Sequence, residues 1–193
     1  MSLSIIGSSF ALLFLAEMGD KTQLIAMTLA QRHRAVPVAV GVMAAFVLLN
    51  VVAVLVGDAL AGLVPRDAVL AVGAVLFAFF AWRSWRDADE DESVDVEAGA
   101  GRAAGIVMTS FSLILVAELG DKTQLTMVTL GAGTGSPWSV FVGGTLALWA
   151  VSLIGIVVGA TWLRRIPARL MHRGAAALFA LFAAGSVVAI FAT

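Results

Sequence analysis

Cysteine is absent from the 193-residue chain, which excludes disulfides, thiolate metal sites and cysteine nucleophiles. Histidine is scarce: His33 and His172 are the two present, and each adjoins an arginine. An imidazole cage for a metal inside a membrane is therefore not expected. Charge is scarce as well. Only 13% of residues are Asp, Glu, Lys or Arg, against about 25% in an ordinary soluble domain. The net charge of −1 gives no basic surface for a nucleic acid. The N-terminus lacks a basic stretch, and its apolar run continues straight to Glu17. It reads as a first transmembrane helix rather than a cleaved signal peptide. No arrangement of residues points to an enzyme.

What is present in excess is apolar surface. Hydrophobic residues make up 61% of the chain, and the mean hydropathy is +1.00. A soluble fold of this size has too little interior to hide so much, so the excess faces lipid. A span needs about 20 apolar residues, and six stretches qualify: Leu3–Ala30, Val36–Leu60, Ala68–Trp85, Ala104–Gly131, Trp138–Leu163 and Gly174–Ala192. Turn-forming and charged residues separate them: Arg32-His33-Arg34 with Pro37, Pro65-Arg66-Asp67, the glycine-rich run from Gly131 to Pro137, and Arg164-Arg165-Ile166-Pro167. One hydrophilic segment, Arg86 to Arg102, holds seven acids and reads as a solvated linker. With six spans, the loops after the first, third and fifth share a side. They and their flanks carry Arg32, Arg34, Arg83, Arg86, Arg102, Arg164, Arg165, Arg169 and Arg173, whereas the opposite side carries Arg66. Positive charge favours the cytoplasm. The acidic loop is accordingly expected inside, and both termini outside, a plasma membrane.

The chain also repeats itself. A shift of 101 residues aligns Phe10–Ala30 with Phe111–Gly131 at 12 identities in 21 positions. At a shift of 102, Gly41 meets Gly143, Gly57 meets Gly159 and Pro65 meets Pro167. Each half then holds three spans, and an odd number per repeat forces the halves into opposite orientations across the membrane. The expected fold is an all-α integral membrane protein of six transmembrane helices, arranged as two inverted three-helix repeats. Residues 1–85 form the first repeat, 86–103 the cytoplasmic linker and 104–193 the second repeat.

The best-matched part of the repeat is also the most polar. Glu17-Met18-Gly19-Asp20-Lys21-Thr22-Gln23-Leu24 returns as Glu118-Leu119-Gly120-Asp121-Lys122-Thr123-Gln124-Leu125. At 1.5 Å per residue, Glu17 lies about 18 Å along a helix counted from Ile5, near the middle of a hydrocarbon core about 30 Å thick. Each acid there costs about 2.5 kcal/mol or more, and such residues mark ion pathways. Glu17 and Asp20 are three apart and are expected to project from one helix face, with Thr22 and Gln23 adding neutral oxygens, and Gly19 admits a bend or a close neighbour. A pseudo-twofold axis brings Glu118, Asp121, Thr123 and Gln124 against them. An oxygen-rich site of this kind suits Mn²⁺, Ca²⁺ or Mg²⁺. Four acids less two lysines leave a charge of −2, which matches one divalent ion. Lys21 four residues after Glu17, and Lys122 four after Glu118, are spaced as helical ion pairs. They are expected to pair with carboxylates rather than bind metal.

In these two copies of E-x-G-D-[KR]-[TS] the chain resembles the UPF0016, or Gdt1, family, and the likeness extends over the acidic linker and both halves. The resemblance implies a cation/proton exchanger for Mn²⁺ or Ca²⁺, with manganese efflux the main activity of bacterial members. It carries Glu17, Asp20, Glu118 and Asp121 over as the exchange site. The implied partners are a divalent ion, protons and the lipid bilayer, with no cofactor. The compact chain looks like a prokaryotic member. The alternatives are an exporter of small organic cations or amino acids, and a cation channel with the same acidic ring. Among secondary features, Asn50 and Ser152 read as interhelical hydrogen-bonders, and Trp82, Trp85, Trp138 and Trp162 as interface anchors. Trp149 reads as packed mid-span and Asp58 as an interfacial cap. Gly155-x-x-x-Gly159 suits either a homodimer or close packing within one chain.

Overall fold

The computed structural model of the chain describes residues 1–87, 102–163 and 168–191. The acidic segment falls outside the described residues except at its ends, as does the boundary expected at residues 164–167. Among the described residues the regular structure is helical throughout: α1 (Leu3–Glu17), α2 (Lys21–Arg32), α3 (Ala35–Leu63), α4 (Arg66–Asp87), α5 (Ala103–Glu118), α6 (Lys122–Thr134), α7 (Pro137–Leu163) and α8 (Ala168–Phe191). Local sequence accounts for several of the boundaries. Pro65 immediately precedes α4, whose first turn carries Asp67, a favourable acid at a helix N-terminus. Gly135, left-handed at φ +63°, terminates α6, and Pro137 opens α7 where its missing N–H costs nothing.

Among the described residues four helices are long and apolar enough to cross a membrane: Ala35–Leu63, Asp67–Arg86, Pro137–Val157 and Arg173–Phe191. The first and fourth expected spans depart from the sequence reading, since neither is a continuous helix. Each breaks into a pair, α1 with α2 and α5 with α6, bent by 70°. Counting each pair as one span brings the total to six. Both breaks fall inside the repeated motif, where an apolar stretch of ample length conceals an interruption of three residues.

The two halves interlock rather than standing side by side. The broken helix of each half lies against the long helix of the other, α1 and α2 on α7, and α5 and α6 on α3; α4 packs along α8. Repeat-related glycines sit hard against the backbone of a facing helix. A side chain at Gly41 would collide with the Val107 carbonyl and with Ser110 Cβ at 2.8 Å, and one at Gly143 with the Ile6 carbonyl and Ser9 Cβ at 3.1 Å. Gly155 likewise faces Gln23, with Cγ at 2.9 Å from where a Cβ would stand. It therefore serves packing within the chain; its partner in the G-x-x-x-G stretch falls outside the described side chains.

Two apolar clusters flank the breaks. Leu12, Leu13, Phe77, Phe80, Met127 and Phe179 form one, and Ile25, Leu29, Val42, Phe46, Ile114 and Leu148 the other. Asn50 donates to Thr145 Oγ1 at 3.0 Å and Trp149 to the Met43 carbonyl at 3.2 Å, tying α3 to α7 as interhelical polar contacts do in lipid. Large apolar residues such as Leu55, Val72, Val75, Leu181 and Val188 point outward and are exposed, the surface that the composition assigns to lipid. Trp82, Trp85 and Trp138 are also exposed. The Arg86 guanidinium lies 5.0 Å from the Trp82 ring centroid and Arg173 lies 5.1 Å from that of Trp85, a pairing suited to a membrane interface.

Candidate functional site

The two breaks are built alike. Helix α1 ends at Glu17 and α5 at Glu118. Beyond each, a glycine takes positive φ, +88° at Gly19 and +79° at Gly120, a conformation in which a Cβ is penalised. An aspartate then occupies the N-cap of the next helix: Asp20 accepts from the Lys21 amide at 2.7 Å, and Asp121 stands at the corresponding position before α6. The glutamine four residues after each glycine secures the turn. Gln23 Oε1 accepts from the Gly19 amide and Gln124 Oε1 from the Gly120 amide, both at 2.7 Å. Gln23 further donates to the Val151 carbonyl at 3.1 Å and reaches Met18 Sδ at 3.7 Å. These bonds satisfy backbone groups that a helix break exposes.

The two motifs meet across the interface between the halves. Thr123 donates to Glu17 Oε1, and Thr22 donates to Glu118 Oε1. Both glutamates are 2% exposed. Each keeps its second carboxylate oxygen, Oε2, fully buried and without a hydrogen-bond partner. Each also sits at the C-terminal end of a half-helix, where the backbone dipole favours positive charge. Two buried carboxylates, each with one free oxygen at the negative end of a broken helix, form an arrangement suited to holding a cation.

The lysines pair with carboxylates, but not with the glutamates four residues before them. The i,i+4 spacing presumes a continuous helix, and the break removes it. The ion pairs at the motifs join the halves instead: the Lys122 ammonium hydrogen-bonds Asp20 and lies 3.7 Å from Glu17 Oε1, while Lys21 lies 3.7 Å from Asp121. For the same reason Glu17 and Asp20 do not project from one helical face; the first closes α1 and the second opens α2. The structure thus brings Glu17, Asp20, Lys122 and Thr123 into one cluster, Glu118 with Thr22, and Asp121 with Lys21. Gln23 and Gln124 turn their oxygens to the backbone. Among the described residues no three of Asp, Glu, His and Cys lie close enough to share one ion. The Val151 carbonyl is a member of this neighbourhood that sequence reading did not single out, and nothing in an apolar run marks one backbone carbonyl from the next.

The sequence profile of the family described as divalent cation/proton antiporter GDT1 matches residues 5–92 and 106–192, which include both motifs. The chain belongs to this family. Similar curated proteins fall on both sides of the prokaryote–plastid divide. The GDT1-like protein 2 of Oryza sativa, a chloroplast protein, is 29% identical over 95% of this chain and 61% of its own length. The putative manganese exporter of Vibrio cholerae is 31% identical over 94% of this chain and 89% of its own. A GDT1-like protein of Synechocystis is 31% identical over 89% and 91% respectively. The chain thus spans about three-fifths of the chloroplast relatives it matches. No solved structure matches it.

The description of that family is of membrane transporters of divalent cations. The polar junction between the chain's halves keeps most of its charged groups from lipid by means of the surrounding helices.

Proposed function

We propose that the chain is a secondary transporter that exports a divalent cation, Mn²⁺ ahead of Ca²⁺, in exchange for protons. The observation that carries this reading is the pair of buried glutamates, Glu17 and Glu118, each anchored by a threonine of the other motif and each holding one unpartnered oxygen. Glu17, Asp20, Glu118 and Asp121 are the exchange residues, Thr22 and Thr123 are neutral oxygen donors, and Gln23 and Gln124 hold the breaks. A hard or borderline cation needs several such oxygens at once. Binding it requires ionised carboxylates, so metal and protons compete for the same groups. Protons arriving from outside displace the cation there, and their release inside readies the acids for the next one. The manganese preference draws on the name of the Vibrio cholerae relative.

The architecture proposed for this cycle is six spans in two inverted repeats, 1–85 and 104–193, joined by the cytoplasmic segment 86–103 in the plasma membrane. Two observations support the assignment of sides. Arg32, His33, Arg34 and Arg102, from the loops after the first span and before the fourth, line one cavity of about 630 Å³. At another point, the Ser2 amide donates to Ser139 Oγ at 2.9 Å, which puts the N-terminus beside the start of α7. Displacement of bound ⁵⁴Mn²⁺ from purified protein tests the substrate class. Competition by Ca²⁺ but not by organic amines or amino acids is expected. Displacement by amines or amino acids instead would replace the metal reading with an organic-solute exporter.

A further inference from the structure

The two motifs are identical at Glu, Gly, Asp, Lys, Thr and Gln, yet their lysines stand differently. The Lys122 side chain is 15% exposed and lies between Asp20 and Glu17; that of Lys21 is 40% exposed and lies 3.7 Å from Asp121. The local sequence therefore permits both placements, and the surroundings select one. An ammonium carries three donors and no acceptor, so it never serves as a cation ligand. Where it stands it engages Asp20 and crowds Glu17 Oε1, leaving Glu17 Oε2 as a free donor oxygen. A divalent ion drawing on both acids needs ligand oxygens within about 2.0–2.6 Å, a distance that the ammonium between them forbids. Without some positive charge there, two carboxylates would stand buried together uncompensated, which is strongly unfavourable.

We infer that Lys122 is a tethered competitor for the transported cation: its ammonium holds the Glu17–Asp20 pair and must swing away for the cation to bind. The inference rests on the reading of those acids as cation ligands. Lys21 against Asp121 illustrates the outward placement open to a lysine at this point of the motif. The exchange gives each state of the site its own counter-charge, a metal when loaded and an ammonium when empty. It makes Lys122 a determinant of affinity and release rather than a contact to the metal.

The chain contains two lysines, Lys21 and Lys122, so acylation of amines reads these positions directly. Native protein in detergent is pulsed with an amine-acylating reagent, with and without Mn²⁺, and the labelled peptides are quantified by mass spectrometry. Mn²⁺ is expected to raise labelling of Lys122 severalfold relative to Lys21; unchanged or reduced labelling of Lys122 overturns the inference. In a parallel measurement, Lys122→Met is expected to bind Mn²⁺ more tightly, by on the order of tenfold. A folded Lys122→Met with native or weaker affinity overturns it too. If Lys122→Met does not fold, the labelling of native protein decides alone. Calorimetry on native protein separates the two layers. Absence of any Mn²⁺ binding contradicts the cation reading itself, whereas binding without lysine displacement removes only the role of Lys122.

Discussion

The Thr123 hydroxyl donates to the carboxylate of Glu17, a residue 106 positions earlier, and Thr22 repeats the bond to Glu118 across 96 positions. Each glutamate is thus oriented by the other half of the chain. A hydrogen bond to a charged group is worth about 1.5–3 kcal/mol. Thr22→Val and Thr123→Val keep the shape and remove the donor, so each is expected to lower the melting temperature and to cut metal flux. Thermal unfolding in detergent and flux into proteoliposomes check this. A fully active, fully stable Thr123→Val would show that the crossed bond does not position Glu17.

Glycine substitutions separate backbone strain from crowding. At Gly120 the added Cβ meets no atom within 4 Å, but φ is +79°. Gly120→Ala should therefore lose about 1–2 kcal/mol from the left-handed backbone alone, and Gly120→Asn less. Gly105 in α5 also has open space around it and no positive φ, so Gly105→Ala should stabilise by about 0.5–1 kcal/mol. Opposite shifts in melting temperature for these two alanines are the expected result.

Gly41 and Gly143 test the crossed packing of the halves. A Cβ at either would press on a backbone carbonyl, of Val107 or Ile6, which yields less readily than a flexible side chain. Overpacking of this kind costs about 1–3 kcal/mol. Both alanine variants should melt lower than native protein by comparable amounts, because the two contacts are repeat-related. Loss at one position alone would argue against equivalent packing of α1 on α7 and α5 on α3.

Much of this architecture is legible in the sequence. The apolar stretches that cross the membrane, the duplication and the doubled polar motif all stand in the residue order, because lipid imposes length and hydropathy directly. The helix breaks were half-written: a glycine followed by an aspartate is a C-terminal stop and an N-cap in succession, but the unbroken apolar surroundings of Glu17 mask it. The partners of Lys21 and Lys122 were not legible. The i,i+4 rule applies to a continuous helix, and once Gly19 and Gly120 turn the chain, three-dimensional proximity replaces spacing. The unequal burial of the two lysines was further out of reach, since two copies of one motif carry no difference to read. The donation of Gln23 to the Val151 carbonyl was hidden for a related reason, as side-chain chemistry does not announce which backbone oxygen it will meet.

The central claim is that one shared set of buried acids exchanges a metal for protons, and Mn²⁺ flux in proteoliposomes under an imposed pH gradient tests it most directly. Native protein, Glu17→Gln and Glu118→Gln are compared, with folding verified for each. Flux driven by the gradient is expected in native protein and none in either folded variant. Metal flux indifferent to the gradient, or full flux in either variant, would contradict the claim.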